Sequence, residues 1–275
     1  MPSSEKTRAP RPTVGIARVR FRIVAVLGAL ALVGSVLAAS ATLMAPPAHA
    51  APGDPFPAGD PLVFVAQDIP TRLSAATTNS AGDVVFTPEG AASVVQYNSI
   101  GYNTADNYLY GMVIDGRGAM PNDSLIRIGQ GGVVTRVGTA TYPAPVFGGW
   151  NNGAFGGDGL FYIASSNPGS ATTMRAINVA TGAIVRTVTL SAVNTAGDMT
   201  FVGGFFWSFT ASNEIQRINP TTGALTRFPA PLNSAGSAAG AAWTFGNGNL
   251  GFSFNTTGQV AQIAVANPRS EDRRV

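Results

Sequence analysis

The side chains that could perform chemistry in this sequence are mostly carboxylates, amides and aromatic rings. The chain has one lysine, Lys6, one histidine, His49, and no cysteine. Residues 51–275 therefore cannot supply a Ser-His-Asp triad, a thiol nucleophile, a Schiff-base lysine, a histidine-ligated zinc site or a disulfide. We predict no catalytic residue, no metal site and no cofactor.

One candidate binding site is the long polar segment Ile114–Ser124, which contains Asp115, Arg117 and Asp123. With Asn122, its two carboxylates offer oxygen ligands for a small ligand or a calcium ion. The spacing does not match a calcium loop of the Asp-x-Asp-x-Asp-Gly kind. Asp, Asn, Gly and Pro are also the residues that turns require, so the competing interpretation is ordinary turn chemistry.

A second candidate is the aromatic pair Tyr142 and Trp150, at either end of a loop rich in Pro and Gly. These rings could offer a stacking surface for a sugar or a peptide. The alternative is that they fill the gap between neighbouring structural units, since large aromatic side chains bury much apolar surface.

A third candidate is a set of polar residues, Asn98, Asn152 and Asp198. Each lies at or near the start of a short segment rich in Gly, Ala and Ser. If these segments converge, the polar groups could bind a small ligand or an ion. Otherwise they cap strand ends through local hydrogen bonds.

The elements that must position these residues are strands of a repeated unit. The segments that begin at Ser124, Met174 and Glu214 each consist of an alternating strand, a Gly-containing turn and a second alternating strand. Strongly apolar strands begin at residues 63, 109, 160, 205 and 250, with spacings of 46, 51, 45 and 45. No long helical periodicity appears. The pattern predicts an all-β fold.

Four strands per unit at a period near 45 indicate the blades of a β-propeller. We predict a β-propeller-like ring of about five four-stranded blades over residues 62–268, and the pattern leaves open whether the ring closes. The first unit lacks an innermost strand, and the fifth has no recognisable outer strand before the charged tail 269–275. The alternative architectures are an irregular sandwich and a stacked solenoid.

The first 50 residues have the order of a secretory signal peptide. Six basic residues precede an apolar run, Ile23–Leu43, and Ala48-His49-Ala50 offers a cleavage site. The alternative is an uncleaved anchor, which would be the chain's only association with a membrane. Residues 51–61 are expected to be a flexible lead-in. We expect the product to be extracellular, or displayed on the cell surface if the apolar segment is retained.

The leader also accounts for the apparent basicity of the chain. Residues 51–275 carry 11 arginines against 13 carboxylates, a net charge of −2. A nucleic-acid partner is therefore not expected.

One part of the sequence is similar to a known family. It consists of Gln96–Gly111, with the motif Tyr97-Asn-Ser-Ile-Gly-Tyr102, and of the later segment Leu125-Ile-Arg-Ile-Gly129. They resemble a propeller-type domain of unknown function that occurs in secreted and surface proteins of high-GC Gram-positive bacteria. The resemblance spans roughly Leu62–Pro268 and implies no catalytic residues. Relatives often carry the domain ahead of stalk-like repeats or a wall anchor, whereas this chain ends at Val275 without either.

Three functions are compatible with these patterns. The first is a secreted or surface-displayed binding or structural module, with an extracellular protein or glycan as its unknown partner. The second is a propeller hydrolase or lyase that uses carboxylates such as Asp115 and Asp198, if their separation suits acid–base work. The third is a truncated fragment of a larger surface adhesin.

Overall fold

The structure is a computed structural model, and it describes residues 51–59, 63–81, 83–144, 149–166, 171–230, 234–265 and the backbone of 273–274. The signal peptide predicted at residues 1–50 lies outside the described residues. So do residues 145–148 of the loop between Tyr142 and Trp150, residues 167–170, and most of the charged tail. No helix among the described residues is long and apolar enough to cross a membrane.

The described residues form nineteen strands in five antiparallel sheets. The first blade contains β1 (Val63–Gln67), β2 (Arg72–Thr78) and β3 (Val84–Pro88). The second contains β4 (Gln96–Asn103), β5 (Tyr108–Asp115), β6 (Ser124–Gly129) and β7 (Val133–Thr141). The third contains β8 (Asn152–Phe155), β9 (Phe161–Ala164), β10 (Thr173–Asn178) and β11 (Ala183–Thr189). The fourth contains β12 (Thr200–Val202), β13 (Phe205–Phe209), β14 (Glu214–Ile218) and β15 (Leu225–Pro229). The fifth contains β16 (Ala241–Thr244), β17 (Leu250–Ser253), β18 (Val260–Ile263) and β19 (Arg273–Arg274).

The sheets are the blades of a β-propeller, so the predicted all-β fold and the count of five are confirmed. Within each blade, successive strands pair in chain order. Among the described residues the first blade has three strands, one fewer than each of the others, as predicted. The second strand of each four-stranded blade, such as β9 or β13, is almost entirely buried. Neighbouring blades cover both of its faces, which explains its nearly continuous apolar sequence.

The prediction that the fifth blade has no outer strand is wrong. The two residues of β19 pair with Ala261 and Gln262 of β18, at the outer edge of the sheet. An edge strand is held by backbone hydrogen bonds and needs no apolar side chains, so a charged sequence can form one. The apolar pattern that predicts the other strands therefore does not predict this one.

Hydrophobic cores lie between successive blades. Leu73 of the first blade packs with residues of the second, Phe161 of the third with Tyr110 of the second, and Phe206 of the fourth with Tyr162 of the third. The core between the fourth and fifth blades is built around Phe209 and Phe252. The fifth and first blades face each other across a cavity of about 90 Å³, to which Val65 of β1 and Trp243 of β16 contribute. Side chains therefore do not fill this last seam completely.

Residues 51–59, the described part of the predicted flexible lead-in 51–61, are packed against the second blade. Phe56 is 4% exposed and lies in the core with Tyr97 and Leu109. The backbone N–H of Phe56 donates to Asn107 O at 2.8 Å, and the backbone N–H of Gly53 donates to Gln130 O at 2.8 Å. The segment thus packs on the turns that join β4 to β5 and β6 to β7.

We expect Phe56→Ala to lower the free energy of unfolding by about 3 kcal/mol, because it removes a buried aromatic ring and leaves a cavity. Val94→Ala is the matched control, since Val94 is 67% exposed and its truncation should change stability by less than about 0.5 kcal/mol. Urea denaturation of a protein that comprises residues 51–275 measures both. Equal, small effects of the two substitutions would show that the segment does not dock in solution.

Candidate functional site

The innermost strands of the propeller surround a cavity of about 380 Å³, hereafter the axial cavity. All five blades contribute to it, and its volume falls within the range of about 300–1,000 Å³ that is typical of small-molecule sites. Each blade places one aromatic side chain in its wall. The five are Phe64, Tyr102, Phe155, Phe201 and Trp243.

The local sequence explains how these rings reach the axis. In β4, β8 and β16 the aromatic residue follows a glycine or alanine: Gly101-Tyr102, Ala154-Phe155 and Ala242-Trp243. The small residues let neighbouring innermost strands approach closely, and the rings remain only partly buried. The Tyr102 hydroxyl donates to Asn107 Oδ1 at 2.9 Å.

Asp198 is the carboxylate that lines the axial cavity in the described part of the chain. Its Oδ1 accepts a hydrogen bond from Met199 N at 2.8 Å, and its Oδ2 accepts one from Ala242 N at 3.0 Å. The backbone N–H of Gly153 donates to the same carboxyl. One side chain thus joins the innermost strands of the third and fifth blades to the start of the fourth.

Burial raises the pKa of Asp198 to about 8, and the three backbone N–H donors oppose this rise without cancelling it. An unfolded aspartate has a pKa near 3.9. Between about pH 4 and pH 8 the native state therefore retains a proton that the unfolded state releases. The contribution of Asp198 to stability is present at low pH and is lost as the pH rises toward 8.

We accordingly expect the free energy of unfolding to fall between pH 5 and pH 8, with Asp198 contributing a slope of up to about 1.4 kcal/mol per pH unit. Denaturant titrations of the wild type and Asp198→Asn at several pH values isolate this contribution. The variant should be less stable at pH 5 and show a shallower slope. A variant slope equal to the wild-type slope would contradict the assignment.

Asn152, predicted as a ligand-binding residue at the axis, is fully buried in a hydrogen-bonded network between the third and fourth blades. Its Nδ2 donates to Ala196 O at 3.1 Å, and its Oδ1 accepts from Asn194 Nδ2 at 3.1 Å. Asn194 Oδ1 in turn accepts from Gln216 Nε2 at 2.6 Å. The polar atoms of Asn152 are therefore engaged within the protein.

Asn98, the third member of the predicted set, forms a local bond in which its Oδ1 accepts from Ser99 N at 2.8 Å. Ser99 lies at an irregularity between β4 and β5 and has a φ of 55°. The bond is local, but it lies at an irregularity within β4 and not at a strand end. Of the three residues, Asp198 is the one that contributes to the wall of the axial cavity.

The loop that contains Asp115, Arg117 and Asp123 forms compact turns. Asp115 and Arg117 are exposed, and Arg117 and Met120 exchange two backbone hydrogen bonds. Asn122 Oδ1 accepts from Gly116 N at 2.6 Å.

Asp123 is partly buried beside this loop and has a φ of 62°. Burial raises its pKa, and the backbone N–H of Ala144 and the charge of Arg175 counteract that rise. Among the described residues, no group of three or more His, Cys, Asp or Glu could hold a metal ion.

Tyr142 and Trp150 fill the space between the second and third blades. Tyr142 is 1% exposed and Trp150 is fully buried, and both pack with Phe161 and Ile163. The Trp150 Nε1–H donates to Tyr142 O at 2.6 Å, and the Tyr142 hydroxyl donates to Gly182 O. These contacts match the interpretation that the rings fill a gap, and they leave no free stacking face.

Asp115 and Asp198, the predicted candidates for an acid–base pair, lie in different surroundings. Asp198 lies in the axial cavity, whereas Asp115 is exposed at the end of β5 and is not part of the cavity wall. The aromatic residues of that wall are not among the predicted site residues. The sequence does contain a signal for them, because each innermost strand includes an aromatic residue: Tyr102 in β4, Phe155 in β8, Phe201 in β12 and Trp243 in β16.

A known family matches nearly all of the propeller. The profile of a family described as "Repeat of unknown function (DUF6923)" matches residues 64–274. The chain belongs to this family. The match includes all five blades of this DUF6923 propeller. No curated protein matches the chain.

Among solved structures, the DUF6923 propeller is similar to glutaminyl cyclase from Myxococcus xanthus, with 13% identity and a TM-score of 0.52 over 72% of this chain and 84% of that one. It is also similar to a catalytically inactive virginiamycin B lyase from Staphylococcus aureus with quinupristin, with 16% identity, a TM-score of 0.45 and coverage of 77% and 68%. A nidogen/laminin complex matches at 12% identity, a TM-score of 0.46 and coverage of 77% and 92%. At these identities the similarity to the cyclase concerns the fold alone.

Proposed function

We propose that this chain is a secreted or surface-displayed binding module that takes its ligand in the axial cavity. The observation that carries the proposal is the cavity wall, to which each of the five blades contributes one partly exposed aromatic ring beside a single carboxylate. A concavity lined by aromatic side chains, with a few convergent polar groups among them, is a usual form of a small-molecule site. The ligand is a small molecule, or an end group of comparable size on an extracellular partner.

The long loops support this function less well than the axis does. The polar groups of the loop 114–124 are largely engaged in its own turns, and Tyr142 and Trp150 are buried between blades. A paired-carboxylate hydrolase would need a second acid near Asp198. No second carboxylate lies among the described residues of the cavity wall.

A fragment screen by ligand-observed NMR tests the proposal. The library contains cationic, anionic and neutral fragments together with mono- and disaccharides, and the protein is the 51–275 product. We expect at least one class to bind, and its binding to be weakened at least tenfold by Tyr102→Ala.

Tyr108→Ala is the matched control. Tyr108 lies on the same hairpin and is also partly buried, but it is not part of the cavity wall. Its substitution should leave binding unchanged. A folded protein that binds no fragment, or fragments that bind equally well to the Tyr102 variant, would overturn the proposed function.

A further inference from the structure

The charges and aromatic surfaces of the axial cavity restrict the class of ligand that it can hold. The described residues of its wall include one carboxylate and five aromatic side chains, but no arginine. The face of an aromatic ring carries partial negative charge, as does an ionised carboxylate. The faces of the five rings and the ionised form of Asp198 thus have the same sign. An anionic ligand would find no positive side chain there.

We propose that the axial cavity binds a small organic cation, whose ammonium group lies among the aromatic rings and pairs with Asp198. This inference rests on the proposed function. Rings that surround a substituted ammonium group attract it through cation–π interactions while also covering its apolar substituents. The net charge of −2 on residues 51–275 favours the approach of a cation as well.

The carboxylate is already positioned for this role. Hydrogen bonds from Met199 N and Ala242 N hold the two oxygens of Asp198 in place. Each carboxylate oxygen can accept more than one hydrogen bond, so capacity remains for a donor or a charge in the cavity. Burial disfavours the ionised carboxyl, and an opposite charge close to it reverses that preference.

The polar groups of the wall fit a sugar less well. The hydroxyls of Thr200 and Thr244 bond to each other at 2.9 Å, and Thr244 also donates to Phe201 O at 3.3 Å. The Tyr102 hydroxyl donates to Asn107. A sugar presents many hydroxyls that need partners on burial, and the hydroxyls of Thr200, Thr244 and Tyr102 already have partners within the protein.

Choline and 3,3-dimethylbutan-1-ol form the critical pair of probes, because they share a shape and differ in charge. Calorimetric titrations at pH 8.5, above the pKa of Asp198, should show that choline binds the 51–275 product at least fivefold more tightly. Asp198→Asn should reduce this preference to less than about twofold. Tyr102→Leu keeps apolar volume but removes a ring, and it should weaken choline binding more than binding of the alcohol. The Tyr102 variant also keeps the test valid if the Asp198 variant does not fold.

The outcomes separate this inference from the proposed function. Equal affinities for the two probes, or preference for the neutral alcohol, would overturn the cation assignment and leave an axial site of apolar character. Binding of other fragments in the screen without binding of choline would do the same. Failure of all fragments would overturn the proposed function itself. A charge preference that survives both Asp198→Asn and Tyr102→Leu would place cation binding elsewhere and overturn the assignment.

Discussion

Gly153→Ala is expected to lower the free energy of unfolding by about 3 kcal/mol, one of the largest losses of any single methyl addition in the propeller. A Cβ atom at residue 153 would overlap the backbone carbonyl of Ser99 on the adjacent innermost strand. Backbone atoms cannot rotate away as a side chain can, so β4 and β8 would have to separate. Gly153 also donates its N–H to Asp198, and separation of the strands would disturb that contact too.

Gly246→Ala is the matched control for this substitution. A Cβ atom at residue 246 would meet no atom within 4 Å, and Gly246 does not have a positive φ. Alanine there should be neutral or slightly stabilising, because it reduces the freedom of the unfolded chain. Urea denaturation of both variants measures the difference. If Gly153→Ala proved as stable as Gly246→Ala, the close approach of the innermost strands would be contradicted.

Asn194→Ala is expected to lower the free energy of unfolding by about 3 kcal/mol, which is the second large effect. Asn194 is fully buried and links the third and fourth blades through bonds to Asn152 and Gln216. Its truncation leaves Asn152 Oδ1 and Ala196 N without the bonds that it now provides. Each buried polar group that loses its partner costs about 1–3 kcal/mol.

Asn79→Ala is the matched control, because it removes an asparagine that accepts backbone hydrogen bonds at an exposed position. Asn79 Oδ1 also accepts two backbone hydrogen bonds, from Ala81 N and Asp83 N, but Asn79 is exposed. Water can replace those bonds, so the loss should be about 1 kcal/mol or less. Thermal and urea denaturation compare the two variants. Equal losses would show that the network between the blades contributes little to stability.

The blades themselves were predictable because their signal is local. Apolar strands such as Phe205–Phe209 and Gly-containing turns recur at nearly constant spacing, and the first unit visibly lacks a fourth strand. The strand at Arg273–Arg274 was not predictable from this pattern, since it pairs through its backbone. The docking of Phe56 was missed for a different reason: a single aromatic residue in a Pro- and Gly-rich segment has no periodicity.

The candidate site was predictable only in part. Asp198 was found because a carboxylate beside an innermost strand stands out in a sequence with few charges. Its partners Gly153 and Ala242 could not be inferred, because they donate through the backbone from strands 44 or 45 residues away in the chain. The segment between Tyr142 and Trp150 has a composition typical of a binding loop, but both side chains lie in a hydrophobic core. Composition alone does not distinguish the two.

The most direct test of an axial ligand site is a heteronuclear NMR titration of the 51–275 product with the tightest-binding fragment of the screen, choline included. The amides of Gly153, Met199 and Ala242 all donate to Asp198 and therefore report on the axial cavity. We predict that these three amides show the largest chemical-shift changes and that the amides of Arg117 and Asp123 remain unchanged. Changes confined to the loop 114–124, or spread over the outer strands without the axis, would contradict the account.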